Sequence, residues 1–141
     1  MDAFDENTRL LEVIFQLVGG AAQTLEKIYK IESEMGGANP AELASSKIEI
    51  DALWTAISRL DPSRLDRFEV IQAVLVTAMN LRKTREAIER IQSDTVSPML
   101  EPHYLRNIAN IAYRQVEEHA RGLAKITDAR GGPKISDSRP E

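Results

Sequence analysis

The sequence contains no cysteine, and this absence removes three kinds of chemistry. A disulfide framework, a thiolate nucleophile and a cysteine-ligated metal site all require the missing side chain. At 141 residues the chain can fold without such support, because a domain of this size buries roughly 65–70% of the surface that its unfolded chain exposes. A cysteine-free chain suits a reducing compartment, so a cytoplasmic location is expected.

An excess of positive charge and a long apolar run are also missing. With a net charge of −4, the chain has no electrostatic footprint for a nucleic-acid backbone. The first residues are acidic where a signal peptide carries positive charge. No apolar run approaches the ~20 residues of a membrane-spanning helix. The expected partner is therefore a protein, and neither nucleic acid nor a membrane.

Proline is scarce, and its positions divide the chain into blocks. The six prolines lie at positions 40, 62, 98, 102, 133 and 140, and the longer blocks between them carry a helical period of apolar residues. This pattern predicts an all-α fold, an antiparallel four-helix bundle with long helices. The predicted helices span residues 5–35, 40–60, 63–92 and 102–127. We place the bundle domain at residues 1–129 and a flexible, disordered C-terminal tail at residues 130–141, whose composition is mostly polar.

Two of the predicted helices have a recognisable start. Asn39 suits an N-cap, Pro40 the first helical position and Glu42 the closing residue of a capping box. Asp61 or Ser63 is the predicted cap of the third helix. These signals set the beginnings of the second and third helices.

Small or charged residues interrupt the helical pattern at three places. Gly19-Gly20 lie in the middle of the first helix, where we expect a kink or a close approach of another backbone. Gly122 is expected to allow a neighbouring helix to pack closely against the fourth helix. Glu32 falls within an apolar stripe, and we expect it to reach water near the helix end.

The segment from Val70 to Leu81 is apolar on nearly every side. At about 100° per residue, one face is predicted to point inward, and it comprises Val70, Ile71, Val74, Leu75, Ala78 and Leu81. The opposite side carries the predicted interface, which comprises Leu65, Phe68, Val76 and Met79. A helix that is apolar all round in so short a chain is expected to be covered by a second subunit. The prediction is self-association through helix 3, forming a homodimer.

The chain has only two histidines, His103 and His119, so each can be assessed as a candidate for metal binding or catalysis. Neither has a glutamate three residues before it, as the Glu-x-x-His motif of di-iron bundles requires, so no metal site is predicted. No nucleotide or haem motif is present either, and no cofactor is predicted. His119 lies on the inward face of the fourth helix, where a hydrogen-bonded core histidine is the simplest interpretation.

Two short segments resemble motifs of known families. Arg114-Gln-Val-Glu-Glu-His119 resembles the motif of the HEPN family, whose members are all-helical, commonly dimeric ribonucleases with that motif at the dimer interface. The family usually has asparagine or aspartate where this chain has glutamine. His103-Tyr-Leu-Arg-Asn107 is similar to the phosphoacceptor box of some histidine-kinase dimerisation helices, although no ATP-binding domain follows it here.

Two functional hypotheses follow from these patterns. The first is a non-catalytic helical interaction protein: a homodimeric bundle, an adaptor or a small subunit of a larger assembly. The alternative, implied by the resemblance, is a HEPN-like metal-independent ribonuclease that uses Arg114 and His119. The outward apolar residues of helix 3 favour the first hypothesis.

Overall fold

The computed structural model describes residues 3–34, 40–65, 67–93 and 101–129. This part of the chain forms four α-helices and one short 3-10 turn, Pro62–Arg64, and contains no β-strand. The helices are α1 (Ala3–Glu34), α2 (Pro40–Ser58), α3 (Phe68–Gln92) and α4 (Glu101–Ala129). The predicted all-α fold is confirmed. The predicted tail, residues 130–141, lies outside the described residues.

The contacts between consecutive helices show that the bundle is antiparallel. In each pair, the residue numbers rise along one helix while they fall along the other. The pairs are Gly20 beside Leu53 and Lys27 with Glu49 for α1 and α2, Lys47 with Glu89 and Asp51 with Arg85 for α2 and α3, and Asn80 with Gln115 and Arg90 with Tyr104 for α3 and α4. The most extensive contact joins α1 to α4, which closes the bundle.

Branched aliphatic side chains from all four helices meet in one core. Those with essentially no exposed surface are Ile14, Val18, Leu25, Ile50, Leu81, Ile88, Leu105, Val116 and Leu123. Burying a side chain of this size contributes about 1.5–3 kcal/mol relative to leaving it in water. Small residues, including Ala21, Ala109 and Ala112, are also fully buried in α1 and α4. The long contact between α1 and α4 therefore includes small side chains, which allow the two helices to pack closely.

A tyrosine contributes a polar contact between α1 and α4. The Tyr113 hydroxyl on α4 lies close enough to the Glu26 carboxylate on α1 to interact with it electrostatically. Desolvation of the partly buried ring raises the pKa of Tyr113 above its ordinary value, and the nearby carboxylates of Glu117 and Glu26 add to the effect. A tyrosine is already protonated at neutral pH, and this shift acts in the same direction.

The start of α3 differs from the prediction. The Asp61 carboxylate accepts hydrogen bonds from the Ser63 hydroxyl at 2.8 Å and the Ser63 N–H at 3.0 Å. The hydroxyl bond, followed by the backbone bond, lowers the pKa of Asp61. These bonds stabilise the 3-10 turn, so neither residue caps α3. The N-cap is Arg67, in an extended conformation and without a side-chain capping bond, and α3 begins at Phe68.

The glycines do not mark a close approach of another helix. α1 continues as one helix through Gly19 and Gly20. A methyl group added at Gly20 would lie 3.5 Å from Leu53 Cδ2, an ordinary van der Waals distance, and one added at Gly19 or Gly122 would meet no atom within 4 Å. The expectation that another helix packs closely against these glycines is therefore wrong.

Gly19→Ala is accordingly expected to stabilise the protein. Alanine is favoured over glycine in a helix interior by about 1 kcal/mol, and nothing in the structure opposes the added methyl group. For a chain of this length, that free energy corresponds to a rise in melting temperature of about 4 °C. Thermal unfolding followed by circular dichroism checks this result, and Ala52→Gly at an exposed position of α2 is the reverse control. A lower melting temperature for Gly19→Ala would contradict it.

Candidate functional site

The outer side of α3 carries a row of exposed apolar side chains. Phe68 is 72% exposed, Leu75 56% and Met79 44%. With Gln72, which is also exposed, they fall within about 60° of one another on the helix surface at 100° per residue. We call these four residues the outer stripe. It presents large apolar groups to solvent along three helical turns.

The outer stripe agrees only in part with the predicted faces of α3. Phe68 and Met79 are exposed as predicted, whereas Leu65 and Val76 are half-buried. Leu75 was predicted to point inward, and this is wrong, because more than half of its side chain faces solvent. Positions 68, 72, 75 and 79 follow one another in alternating steps of four and three residues. This spacing is the signal that could have placed Leu75 on the same face as Phe68 and Met79.

Polar residues on the buried face of α3 explain this error. Thr77, Asn80 and Thr84 are all buried, although their polarity suggests the solvent side. The Asn80 amide Nδ2 donates to the Gln115 side chain on α4 at 3.0 Å and to the Val76 carbonyl at 2.9 Å. The Thr84 hydroxyl donates to the Asn80 carbonyl at 2.9 Å. These hydrogen bonds offset the cost of burying polar groups, so the helix turns its apolar outer stripe to solvent.

Thr77 is the exception within this buried row. Thr77 has no exposed surface, and its hydroxyl makes no hydrogen bond within the described part of the chain. An unsatisfied buried hydroxyl costs about 1–3 kcal/mol. Thr77 therefore does not stabilise the inward orientation of this face, which rests on Asn80, Thr84 and the surrounding apolar side chains.

The side of α3 that faces α2 is occupied by contacts within the chain. The Arg85 guanidinium lies 5.3 Å from the centre of the Trp54 ring, a cation–π distance. The same side chain approaches Asp51 at 3.5 Å and Glu89 at 3.8 Å. Lys47 also reaches Glu89 at 3.5 Å. These charges hold α2 against α3 and are not directed toward the outer stripe.

Charged residues lie near both ends of the outer stripe. Near its N-terminal end, Glu69 is exposed and lies 3.9 Å from Arg67. Near its C-terminal end, Arg82 donates to Glu86 at 3.2 Å. Lys83 is exposed and forms no ion pair with the residues that the structure describes. An apolar centre with charged ends is typical of a helix surface that contacts another helix.

The two residues of the HEPN-like motif make separate contacts on α4. Arg114 is exposed, and its Nε donates to Asn110 Oδ1 at 3.0 Å. His119 is half-buried, and its Nδ1 donates to the Gln115 carbonyl at 2.9 Å. Five residues of helix separate their directions by about 140°. No described hydrogen bond joins them, so within one chain the structure does not bring Arg114 and His119 together.

The second resembling segment opens α4. His103 is exposed, and its Nδ1 accepts a hydrogen bond from the Arg106 guanidinium at 2.9 Å. Asn107 is exposed as well. The contact links His103 to the next turn of the same helix. It involves no other helix.

Glu32 and the candidate metal ligands can be placed as well. Glu32 is only 5% exposed, so the expectation that it reaches water is wrong. Across the described ranges, no group of three or more acidic or histidine side chains is arranged to hold a metal ion. In that same part of the chain, no helix has both the length and the apolar character needed to cross a bilayer.

Other exposed apolar side chains do not form a comparable row. They are Val13 and Phe15 on α1, Ile48 on α2 and Ile111 on α4. Val13 and Phe15 are two residues apart and point in different directions, since two helical residues turn by about 200°. Single exposed apolar residues are normal on protein surfaces. In the described structure, the outer stripe is therefore the candidate functional site.

Comparison of this chain with known protein families, curated proteins and solved structures finds no match.

Proposed function

We propose that this chain is a cytoplasmic, non-catalytic interaction protein that forms a homodimer through the outer stripe of α3. The observation that carries the proposal is the exposure of Phe68, Leu75 and Met79 along one line of the helix. A row of large apolar groups in contact with water is unfavourable and usually marks an interaction surface. Two-fold self-association is the commonest way for a soluble protein to cover such a surface.

The size of the outer stripe supports a weak dimer. A two-fold contact would bury six large apolar side chains, three from each copy. If each gains about half of the 1.5–3 kcal/mol for full burial, the total is about 5–9 kcal/mol. Association itself costs at least about 4 kcal/mol. The remaining free energy is at most about 5 kcal/mol, which corresponds to a dissociation constant of about 0.2 mM or weaker.

The proposal uses no chemistry of Arg114 or His119. Both side chains have hydrogen-bond partners on their own helix, at Asn110 and Gln115. Neither residue belongs to the outer stripe. Arg114 therefore takes no part in the contact of a homodimer formed through α3.

Leu75→Glu combined with Met79→Glu is expected to abolish self-association while leaving the helices intact. Both side chains are exposed in the single chain, so charged replacements do not enter the core. In a dimer, the same charges would be desolvated against apolar groups. Sedimentation equilibrium from micromolar to millimolar protein measures the association. Circular dichroism and thermal unfolding at low concentration show whether the fold is retained.

Ile48→Glu is the matched control for this experiment. Ile48 is 69% exposed but lies on α2, away from the outer stripe. The control should associate like the wild type. A wild-type protein that remains monomeric at millimolar concentration would contradict the homodimer. Loss of association in the control alone would place the contact on α2 instead.

A further inference from the structure

The outer stripe continues along α3 with the spacing of a coiled-coil seam. Positions 68, 72, 75, 79, 82 and 86 follow one another in alternating steps of four and three residues. Glu69, Val76 and Lys83 are spaced by seven residues and therefore lie along one flank of this seam. Val76 is half-buried, while Glu69 and Lys83 are exposed. The flank thus has an acidic end, an apolar centre and a basic end.

The charges at the two ends of this flank distinguish the possible directions of pairing. In a parallel pair of α3 helices this flank would face the opposite flank of the partner's seam, so Glu69 and Lys83 would not meet each other. An antiparallel two-fold pair would place Glu69 against the partner's Lys83, and the symmetry would repeat this ion pair. Within its own chain, Lys83 forms no ion pair with a described acid, and Glu69 forms a long ion pair with Arg67 at 3.9 Å.

The distances along the helix also select the register. Glu69 and Lys83 are each seven residues from Val76, so pairing them places Val76 near the two-fold axis. In this register Leu75 lies opposite the partner's Met79, and the apolar groups meet at the centre. Sliding the helices by one heptad in either direction would place Glu69 or Lys83 against the partner's Val76 and separate both ion pairs. The loss of these pairs disfavours that alternative.

We propose that the occupant of the outer stripe is a second copy of this chain, bound antiparallel about a two-fold axis near Val76, with Glu69 paired to the partner's Lys83. This inference rests on the proposed self-association and adds its direction, register and specificity-determining charges. The self-complementary flank is what favours a second copy over a different protein.

Charge reversal tests the direction. Glu69→Lys alone and Lys83→Glu alone are each expected to weaken homodimerisation by about tenfold at low salt, because both symmetry-related ion pairs become repulsive. An equimolar mixture of the two variants should recover wild-type affinity, since the heterodimer restores a lysine–glutamate pair at both sites. The effects should largely disappear in 1 M salt, where the Debye length is about 3 Å.

Glu12→Lys, which makes the same charge change at an exposed position of α1, is the control. It should associate like the wild type. Circular dichroism of each variant separates weakened association from unfolding. If the mixture remains as weakly associated as the separate variants, the Glu69–Lys83 pairing is overturned.

The register can be tested by cross-linking, because the chain has no native cysteine to interfere. Val76→Cys is expected to form a disulfide-linked dimer on mild oxidation, since the two introduced thiols would lie near the axis. Phe68→Cys should not, because antiparallel pairing places it near the other end of the partner's seam. Efficient cross-linking of Phe68→Cys would overturn the antiparallel arrangement.

The outcomes also separate this inference from the proposed function. If Leu75→Glu with Met79→Glu prevents dimerisation but the charge variants do not complement each other, the homodimer stands and its proposed register is wrong. If the wild type is monomeric at millimolar concentration, both proposals fail.

Discussion

Leu81→Ala is expected to lower the free energy of unfolding by about 3 kcal/mol. Leu81 has no exposed surface and packs in the core shared by the four helices. The substitution removes buried apolar atoms and leaves a cavity that the surrounding helices fill only in part. Urea denaturation at low micromolar protein, where the proposed dimer would contribute little, measures the loss.

Leu75→Ala is the matched control on the same helix. Leu75 is 56% exposed, so its truncation should change the monomer's stability by no more than about 0.5 kcal/mol. The apolar pattern alone placed both leucines on the inward face. Similar destabilisation by the two substitutions would therefore contradict the observed rotation of α3, whereas a large difference supports it.

Ala109→Leu is expected to destabilise the protein by about 1–3 kcal/mol, through overpacking. Ala109 has no exposed surface and belongs to the buried core of α4, the helix with the most extensive contact to α1. A larger side chain must displace its neighbours or adopt a strained rotamer. Denaturant unfolding measures the change in stability.

Gly122→Leu provides the comparison for this second prediction. Gly122 is an exposed position on the same helix with no atom within 4 Å of an added methyl group. Its replacement should raise stability slightly, because leucine is a better helix former than glycine. If Ala109→Leu were also neutral or stabilising, the buried alanine would not be a close-packed position.

Local sequence signals were sufficient to predict the four helices. The placement of proline and the apolar period identified an all-helical chain, and the predicted start of the second helix at Pro40 is confirmed. Helix starts depend on nearby capping groups, which a sequence contains directly, although the predicted cap of this helix, Asn39, lies outside the described residues. The start of α3 was harder to predict, because Asp61 and Ser63 also suit the 3-10 turn in which the structure places them.

The candidate site was predicted in part for a similar reason. Phe68 and Met79 stand out as surplus apolar residues once the opposite face is assigned to the core, and both are exposed. Leu75 was assigned to the wrong side. In a helix that is apolar nearly all round, the hydrophobic period has little contrast, so a small rotation changes which leucine is buried.

The sequence by itself determined that this chain forms long helices and that α3 has more apolar surface than one core-facing stripe requires. Only the tertiary structure decided which side of α3 is buried. That choice depends on Gln115, which accepts the Asn80 amide hydrogen bond from 35 residues further along the chain. A buried polar side chain is tolerated when a partner satisfies it, and no local pattern within α3 contains that partner on α4.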